Sequence, residues 1–270
     1  MSDLPRLAAD VTPTADDIDA LWRDGHVTIR AVCSRDEVAV FGPVLRAAAT
    51  AVPALEPTDA EGEVYARAFR QHTNLWRTDA AAARFTLAPR LGRLAAALLR
   101  TPAVRVYHDQ ALFKRGGDGP TPWHQDKHYW PIDGELLTLW LPLVDVDAAM
   151  GTMRFARGTH RRGPLSDQPI SAAAEAALGA LVAREGFEVV STGPMRAGDA
   201  SFHLAWTLHG ADANRTTTDR DVMTVIFVPD GARVTEPVND GQRVDLATWM
   251  PGLAPGDLVA SPLNPLCWPS

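Results

Sequence analysis

The sequence predicts a mainly β fold with flanking helices, an antiparallel sandwich or barrel. Three observations predict it. The second half of the chain carries many short strand-like runs separated by turns rich in Gly, Pro and Asp. Strands and helices do not alternate regularly, which argues against a parallel sheet. Helical patterning is concentrated in about the first 100 residues, so those helices should pack outside the sheets.

The elements follow in order. Thr14-Ala-Asp-Asp17 is a cap-like start before Ile18, Leu21 and Trp22 at helical spacing, and Gly25 stops that helix. His26–Cys33 alternates as a short strand should. Ser34-Arg-Asp-Glu37 is a capping box that opens a helix carrying Val38, Phe41, Val44 and Leu45 towards Ala49. Residues 53–63 contain Pro, Gly and acidic residues and predict a loop. Two more helices are expected over Asp79–Ala88 and Pro89–Arg100, with Pro89 at a helix start. After Pro102 the period changes: Val104–Lys114 reads as a long strand ending in the Gly116–Pro120 loop. Leu136–Val146, Gly151–Phe155, Phe187–Ser191, Ala200–His203 and Val222–Val228 are further strand candidates, with one helix at Ser171–Arg184. No linker divides the chain, so one domain over 1–270 is expected: a helical part to about 100, a β core over about 101–230 and a tail over 231–270.

Composition narrows the function. The chain has 270 residues, 46% of them hydrophobic, with a net charge of −7, so it is an ordinary globular protein. A pI near 5.6 without a Lys/Arg run argues against nucleic acid or an anionic membrane as partner. No apolar run is long enough for a span, and the first residues lack a signal pattern. Cys33 and Cys267 are too few for a disulfide framework or a Cys-based zinc site. A cytoplasmic protein, monomeric or homodimeric, acting on a small molecule is the expectation. One count stands out, 8 Trp against 3 Tyr, and several Trp crowd one short segment together with His.

That segment is Trp123-His-Gln-Asp-Lys-His-Tyr-Trp-Pro131. In an extended chain residues two apart share a face, so His124 and Asp126 can reach one point. An imidazole and a carboxylate are two thirds of the facial triad that holds non-haem Fe(II) and leaves positions open. The pair alone is a common motif. A third ligand must come from elsewhere, and His203 and His209 are the candidates. His203 lies on an apolar strand, where a satisfied core histidine is the simpler reading; His209 lies where a strand runs into a polar turn. Arg220, just before the last strand, offers a guanidinium suited to gripping a carboxylate bidentately.

Three runs in order resemble the phytanoyl-CoA dioxygenase family of Fe(II)/2-oxoglutarate-dependent oxygenases: His124-Gln-Asp-Lys-His-Tyr-Trp-Pro131, Gly151-Thr-Met-Arg-Phe-Ala-Arg-Gly-Thr-His160, and His209-Gly through Asn214 to Arg220. The resemblance covers roughly residues 60–230. It implies a double-stranded β-helix core, jelly-roll or cupin-like. It implies His124, Asp126 and His209 as the iron ligands, with no catalytic residue beyond them. It implies Arg220 on the distal carboxylate of 2-oxoglutarate, with Gln110 and Trp140 lining the co-substrate pocket and Lys114 at a basic position. Ala211 departs from relatives that carry a serine there to touch 2-oxoglutarate. Relatives that halogenate have Gly or Ala in place of the carboxylate ligand, so Asp126 favours hydroxylation or a related oxidation.

The implied cofactor set is Fe(II), 2-oxoglutarate and O2, with release of succinate and CO2. His128 and Trp130 are candidate substrate contacts, beside Trp123, Tyr129 and Trp206. Arg154, Arg157, Arg161 and Arg162 form a basic cluster for which a solvated face is the simpler reading. The family spans acyl-CoA thioesters, amino-acid derivatives, ectoine-like solutes and terpenoids. The acidic chain offers no steering towards coenzyme A, and a secondary-metabolite intermediate is the expected substrate. Two other readings stand beside this one: a non-catalytic jelly-roll ligand-binding protein, and a 2-oxoglutarate-independent cupin-like metalloenzyme. The complete ligand set weighs against the first and Arg220 against the second.

Overall fold

The computed structural model describes residues 4–7, 9–54 and 68–269. Its strands are β1 (His26–Ile29), β2 (Arg70–Thr73), β3 (Val104–Lys114), β4 (Thr121–His124), β5 (Leu137–Pro142), β6 (Met153–Ala156), β7 (Val189–Ser191), β8 (Ala200–Leu204), β9 (His209–Ala211), β10 (Arg220–Pro229) and β11 (Leu266–Trp268). They form two antiparallel sheets. The larger runs β1-β8-β5-β10-β3-β11 with β2 also on β3, and the smaller runs β4-β9-β6-β7. Two facing antiparallel sheets with long-range crossovers are the jelly-roll arrangement that the resemblance implies.

Local chemistry explains the helix boundaries. Thr14 Oγ1 accepts from Asp17 N–H while Asp17 accepts from Thr14 N–H, so helix Ala15–Asp24 opens on a reciprocal cap and ends at Gly25 with φ +87°. Ser34 and Glu37 repeat the device at helix Arg35–Ala51. Asp79 caps helix Ala80–Thr86, and Pro89 is the first residue of helix Pro89–Leu98. The expected strand over His26–Cys33 stops at Ile29 instead. Ala31 adopts φ +53°, and its N–H donates to the Asp199 carboxylate at 2.9 Å, turning the chain into the next helix. Of the loop predicted over 53–63, only Pro53 and Ala54 fall within the described residues. The segment expected as a tail contains a helix, Asp240–Trp249, as well as β11.

Each face of the large sheet has a different job. Its outer face presents Leu137, Leu139, Phe202, Leu204, Val225 and Phe227, all fully buried under the N-terminal helices through Phe41, Leu45, Phe85 and Leu91. Burying each such side chain contributes roughly 1.5–3 kcal/mol. Beneath these helices Arg90 is buried and donates to both carboxylate oxygens of Glu37, the capping residue, and to the Val32 carbonyl. The inner face is polar, carrying Thr138, His203, Gln110 and Arg220, and it looks across at the small sheet. Helix Ala172–Glu185 covers the outside of that small sheet through Leu178 and Val182. The C-terminal segment packs on the other end of the interior through Val234, Met250 and Val259. No helix among the described residues is long and apolar enough to cross a membrane.

Candidate functional site

His124 ends β4 and faces His209 across the β4–β9 ladder, so the two rings lie 4.1 Å apart. The chain does not continue extended to Asp126. It turns there into a short 3-10 segment, Asp126–His128, and the turn brings the carboxylate back over both rings. The two expected residues come together with His209, but the backbone that joins them is a strand end plus a turn. Asp126 Oδ1 lies 3.6 Å from His124 Nε2 and 3.6 Å from His209 Nε2. One ligand atom from each of the three lies within 4.8 Å of the others.

The donor set fits a metal ion. His124 Nδ1 is 2.8 Å from the Pro122 carbonyl, and His209 Nδ1 is 2.9 Å from the Thr207 carbonyl. A ring nitrogen facing a carbonyl carries the proton, so each Nε2 presents a lone pair towards Asp126. Burial, and then the neighbouring imidazole, lowers the pKa of each of these two histidines to about 4. Both are therefore neutral, the form that ligates, near pH 7. Burial alone would raise the pKa of Asp126, but His209, His203 and His124 together hold the carboxyl well below the usual carboxylate range. The site is two neutral imidazoles and one carboxylate on one side of a common point.

The second carboxylate oxygen is also held. Thr138 Oγ1 donates to Asp126 Oδ2 at 2.9 Å, and His203 Nε2 lies 3.2 Å from the same atom. Thr138 and His203 are direct partners across the β5–β8 ladder, so both reach one oxygen from one row of the large sheet. His203 thus lies outside the three-residue donor cluster and meets the second oxygen of Asp126. Sequence reasoning weighed His203 and did not consider Thr138. Their signal is a cross-strand register, and nothing in the local sequence carries it.

A second group of residues lies at the far end of the same interior. Arg220 opens β10 and pairs with Lys114, the last residue of β3. The Asn214 side chain orders the loop before Arg220, accepting from the Thr216 N–H and hydroxyl and donating to the Thr218 carbonyl. Arg220 is 1% exposed and Lys114 fully buried, yet neither forms an ion pair with a carboxylate among the described residues. Arg220 Nη1 donates to the Gly151 carbonyl, Lys114 Nζ donates to that of Gly119, and Arg220 Nε has no partner. Burial lowers the Arg220 pKa to about 10; burial, and then Arg220, lowers that of Lys114 to about 7. Two adjacent buried basic groups, with Asp118 acting on both but no carboxylate in contact, favour an anion beside them.

Trp140 flanks that site, and Gln110 lies further along the same inner face. The Arg220 guanidinium lies 5.3 Å from the centre of the Trp140 ring, which is buried with Met153, Ala211 and Val222. Trp140 and Gln110 sit on either side of Thr224 in one row of the sheet, and Gln110 Nε2 is 3.4 Å from His108 Nδ1. Ala211, two residues after His209, faces Thr121 on β4.

His124, His128, Tyr129 and Ile170 line a narrow cleft together with Trp123 and Leu178 of the helix-covered face. The His128 carbonyl accepts from Asn239 Nδ2 at 3.2 Å and Gln242 Nε2 at 3.1 Å, which ties helix Asp240–Trp249 to the turn bearing Asp126. Trp130 does not line this cleft. It packs edge-on against Tyr107 at 5.9 Å and belongs to the apolar cluster under the C-terminal segment. Trp123 packs beneath helix Ala172–Glu185, with the Arg154 guanidinium 4.3 Å from the ring centre. Trp206 contributes its carbonyl, which accepts from Gln125 Nε2. Three of the four clustered arginines are paired: Arg154 with Glu175, Arg157 with Asp24 and Glu188, and Arg162 with Glu185. That cluster is an ion-paired surface. The C-terminal helix is the part of the cleft's surroundings that sequence reasoning missed.

Comparisons with known proteins bear on this geometry. The family model described as phytanoyl-CoA dioxygenase matches residues 21–222. No match was found among curated proteins. The solved structure of the epimerase SnoN from nogalamycin biosynthesis, in complex with Fe3+, alpha ketoglutarate and nogalamycin RO, is 25% identical. It covers 93% of this chain and 97% of its own, with a TM-score of 0.76. SnoK, a non-heme alpha ketoglutarate dependent carbocyclase from the same biosynthesis, is 23% identical over 96% of this chain and 99% of its own, with a TM-score of 0.75. EctD from S. alaskensis with bound Fe is 19% identical over 87% of this chain and 85% of its own, with a TM-score of 0.65.

Proposed function

The chain belongs to the phytanoyl-CoA dioxygenase family, whose enzymes use iron and 2-oxoglutarate, and on that premise we propose that it oxidises a small secondary-metabolite intermediate at a C–H bond, with hydroxylation as the outcome. The observation that carries this reading is the pair of sites in one interior. Three ligand atoms face one point, and two buried basic groups, Arg220 and Lys114, lie beyond them. A dicarboxylate with a keto-acid end answers both, one end at the metal and the other at Arg220.

His124, Asp126 and His209 would hold the iron, while Thr138 and His203 keep Oδ2 of Asp126. When bound, iron with 2-oxoglutarate and O2 supplies the oxidising chemistry, and the co-substrate leaves as succinate and CO2. Arg220 neutralises the far carboxylate through charge-assisted hydrogen bonds, and Trp140 walls that pocket, while Gln110 lies further along the same inner face. His128 and Tyr129, beside His124, are the residues placed to meet the substrate, and Trp130 packs against Tyr107. Asp126 fills the carboxylate position, which favours oxygen insertion over halide transfer. The similarity to SnoN and SnoK, described as an epimerase and a carbocyclase, supports a secondary-metabolite substrate and carries a second outcome, epimerisation or ring formation.

Arg220→Ala tests the assignment. The iron affinity should stay close to wild type while 2-oxoglutarate binding weakens by roughly a hundredfold, the loss expected of a buried charge-assisted contact. Equal loss of both would make Arg220 structural and remove the main support for a 2-oxoglutarate site.

A further inference from the structure

One row of side chains crosses the inner face of the large sheet at the level of the metal ligands. His26 on β1 opposes His203 on β8, and His203 opposes Thr138 on β5, so the three stand side by side. Thr138 and His203 both meet Oδ2 of Asp126, and His26 stands one place further out in the row. Burial lowers the His26 pKa to about 4, so its ring is neutral near pH 7.

The ionised carboxylate of Asp126 only accepts, so His203 Nε2 carries the proton that lies between them. In a neutral imidazole the other nitrogen is then an acceptor. His203 Nδ1 is buried without a hydrogen-bond partner among the described residues, and so is Nε2 of its neighbour His26. Ser201 Oγ, two residues before His203 on the same face of β8, is a third such atom. Phe155 of the small sheet covers both rings. It stacks on His26 at 4.3 Å with 16° between the planes, and lies 5.6 Å from His203. Three polar atoms on adjoining positions beneath one apolar ring are the partners that a buried water takes. The tautomer of an imidazole is set by the bond that its other nitrogen makes. A hydrogen bond at Nδ1 therefore keeps the proton of His203 on Nε2, facing Asp126.

We propose that His26 positions Asp126 through His203: the Nε2–H of His26 donates to a buried water, and that water donates to Nδ1 of His203. Ser201 Oγ is the third partner of the same water. The His203 proton then stays on Nε2 and holds the carboxylate by its second oxygen. This rests on the reading of Asp126 as an iron ligand. His26 acts at one remove and is a positioning residue.

His26→Phe and His26→Gln test it in the full chain. Phe keeps a flat ring against Phe155 and removes the nitrogens, whereas Gln keeps an amide donor at the reach of Nε2. The first readout is the His203 ring in the metal-free protein, by nitrogen-15 NMR of labelled histidine. In the wild type Nε2 should carry the proton and Nδ1 should report a hydrogen-bonded acceptor. His26→Phe should shift the Nδ1 resonance and populate the other tautomer, while His26→Gln should leave the ring close to wild type. The second readout is anaerobic Fe(II) affinity against a competing chelator. It should fall about three- to tenfold in His26→Phe, at or below the low end for an outer partner of a metal ligand, and hold in His26→Gln. In a His203→Phe background His26→Phe should leave iron affinity where it was, because the route through His203 is gone. A wild-type His203 ring protonated on Nδ1 would overturn the proposal. So would an unchanged ring or unchanged iron affinity in His26→Phe, equal iron losses in both His26 variants, or the same loss with and without His203. A wild-type protein that binds no Fe(II) would instead overturn the reading of Asp126 as a ligand, with the His203 resonances still deciding the tautomer.

Discussion

Thr138→Val is the sharpest probe of how the metal site is held. Thr138 is 6% exposed, and its hydroxyl is one of two groups on Asp126 Oδ2, the other being His203 Nε2. The substitution keeps the shape of the side chain and deletes the 2.9 Å hydrogen bond. A hydrogen bond to a charged acceptor contributes about 1.5–3 kcal/mol. The carboxylate makes it with and without metal, so only part of that is felt in metal affinity. Outer partners of metal ligands typically account for about 10–100-fold in affinity. With His203 still holding Oδ2, the lower end applies, about tenfold or roughly 1.4 kcal/mol. Replacing His203 as well frees the carboxylate to rotate, so Thr138→Val with His203→Phe should lose more than the two single losses combined. Anaerobic Fe(II) titration against a competing chelator reads both, with circular dichroism as the control for folding. Wild-type affinity in the folded double variant would refute the reasoning, because Asp126 would then be oriented by something else.

Two further outcomes follow from the buried charges. Glu37→Ala strips Arg90, 4% exposed, of its carboxylate and also removes the acceptor for Ser34 N–H, so the denaturation midpoint should fall by an amount equivalent to about 3 kcal/mol. Glu37→Gln should lose less, since that acceptor survives. Lys114, lowered to about 7 from its ordinary 10.5 by burial and by Arg220, binds fewer protons folded than unfolded between those two values. The ligand-free protein should therefore gain stability as pH rises from about 7 towards 10.5. An anion beside Lys114 favours its charged form, so 2-oxoglutarate affinity should weaken as pH rises above about 7, with proton uptake on binding in buffers of different ionisation enthalpy. Lys114→Met should flatten both pH dependences.

Much of this molecule is legible locally. Strand β3 is read to the residue, Val104–Lys114, because a change of period and a Gly-Pro loop bound it on either side. The caps at Thr14 and Ser34 and the stop at Gly25 are short-range chemistry and stand where the residues predict. What escapes is whatever depends on distant partners. Strand β2 is Arg-Gln-His-Thr, with no apolar alternation, and exists because β3 offers an open edge. Strand β11 spans three residues and is likewise held by β3. Helix Asp240–Trp249 has a mixed-polarity sequence and is anchored from outside, through the His128 carbonyl and through Asp245, which the Tyr107 hydroxyl meets. The same division runs through the site. His124 and Asp126 announce themselves by spacing, whereas Thr138 and His203 join them only through the β5–β8 register.

The central claim is that one interior holds iron on His124, Asp126 and His209 and 2-oxoglutarate between that iron and Arg220. Anaerobic titration of the Fe(II)-loaded protein with 2-oxoglutarate, following the weak visible absorption of the iron–2-oxoglutarate chelate, tests it directly. The account predicts absorption that saturates at one 2-oxoglutarate per iron and disappears in Asp126→Ala and His209→Ala. No absorption in the wild-type protein, or the same absorption in both variants, would contradict it.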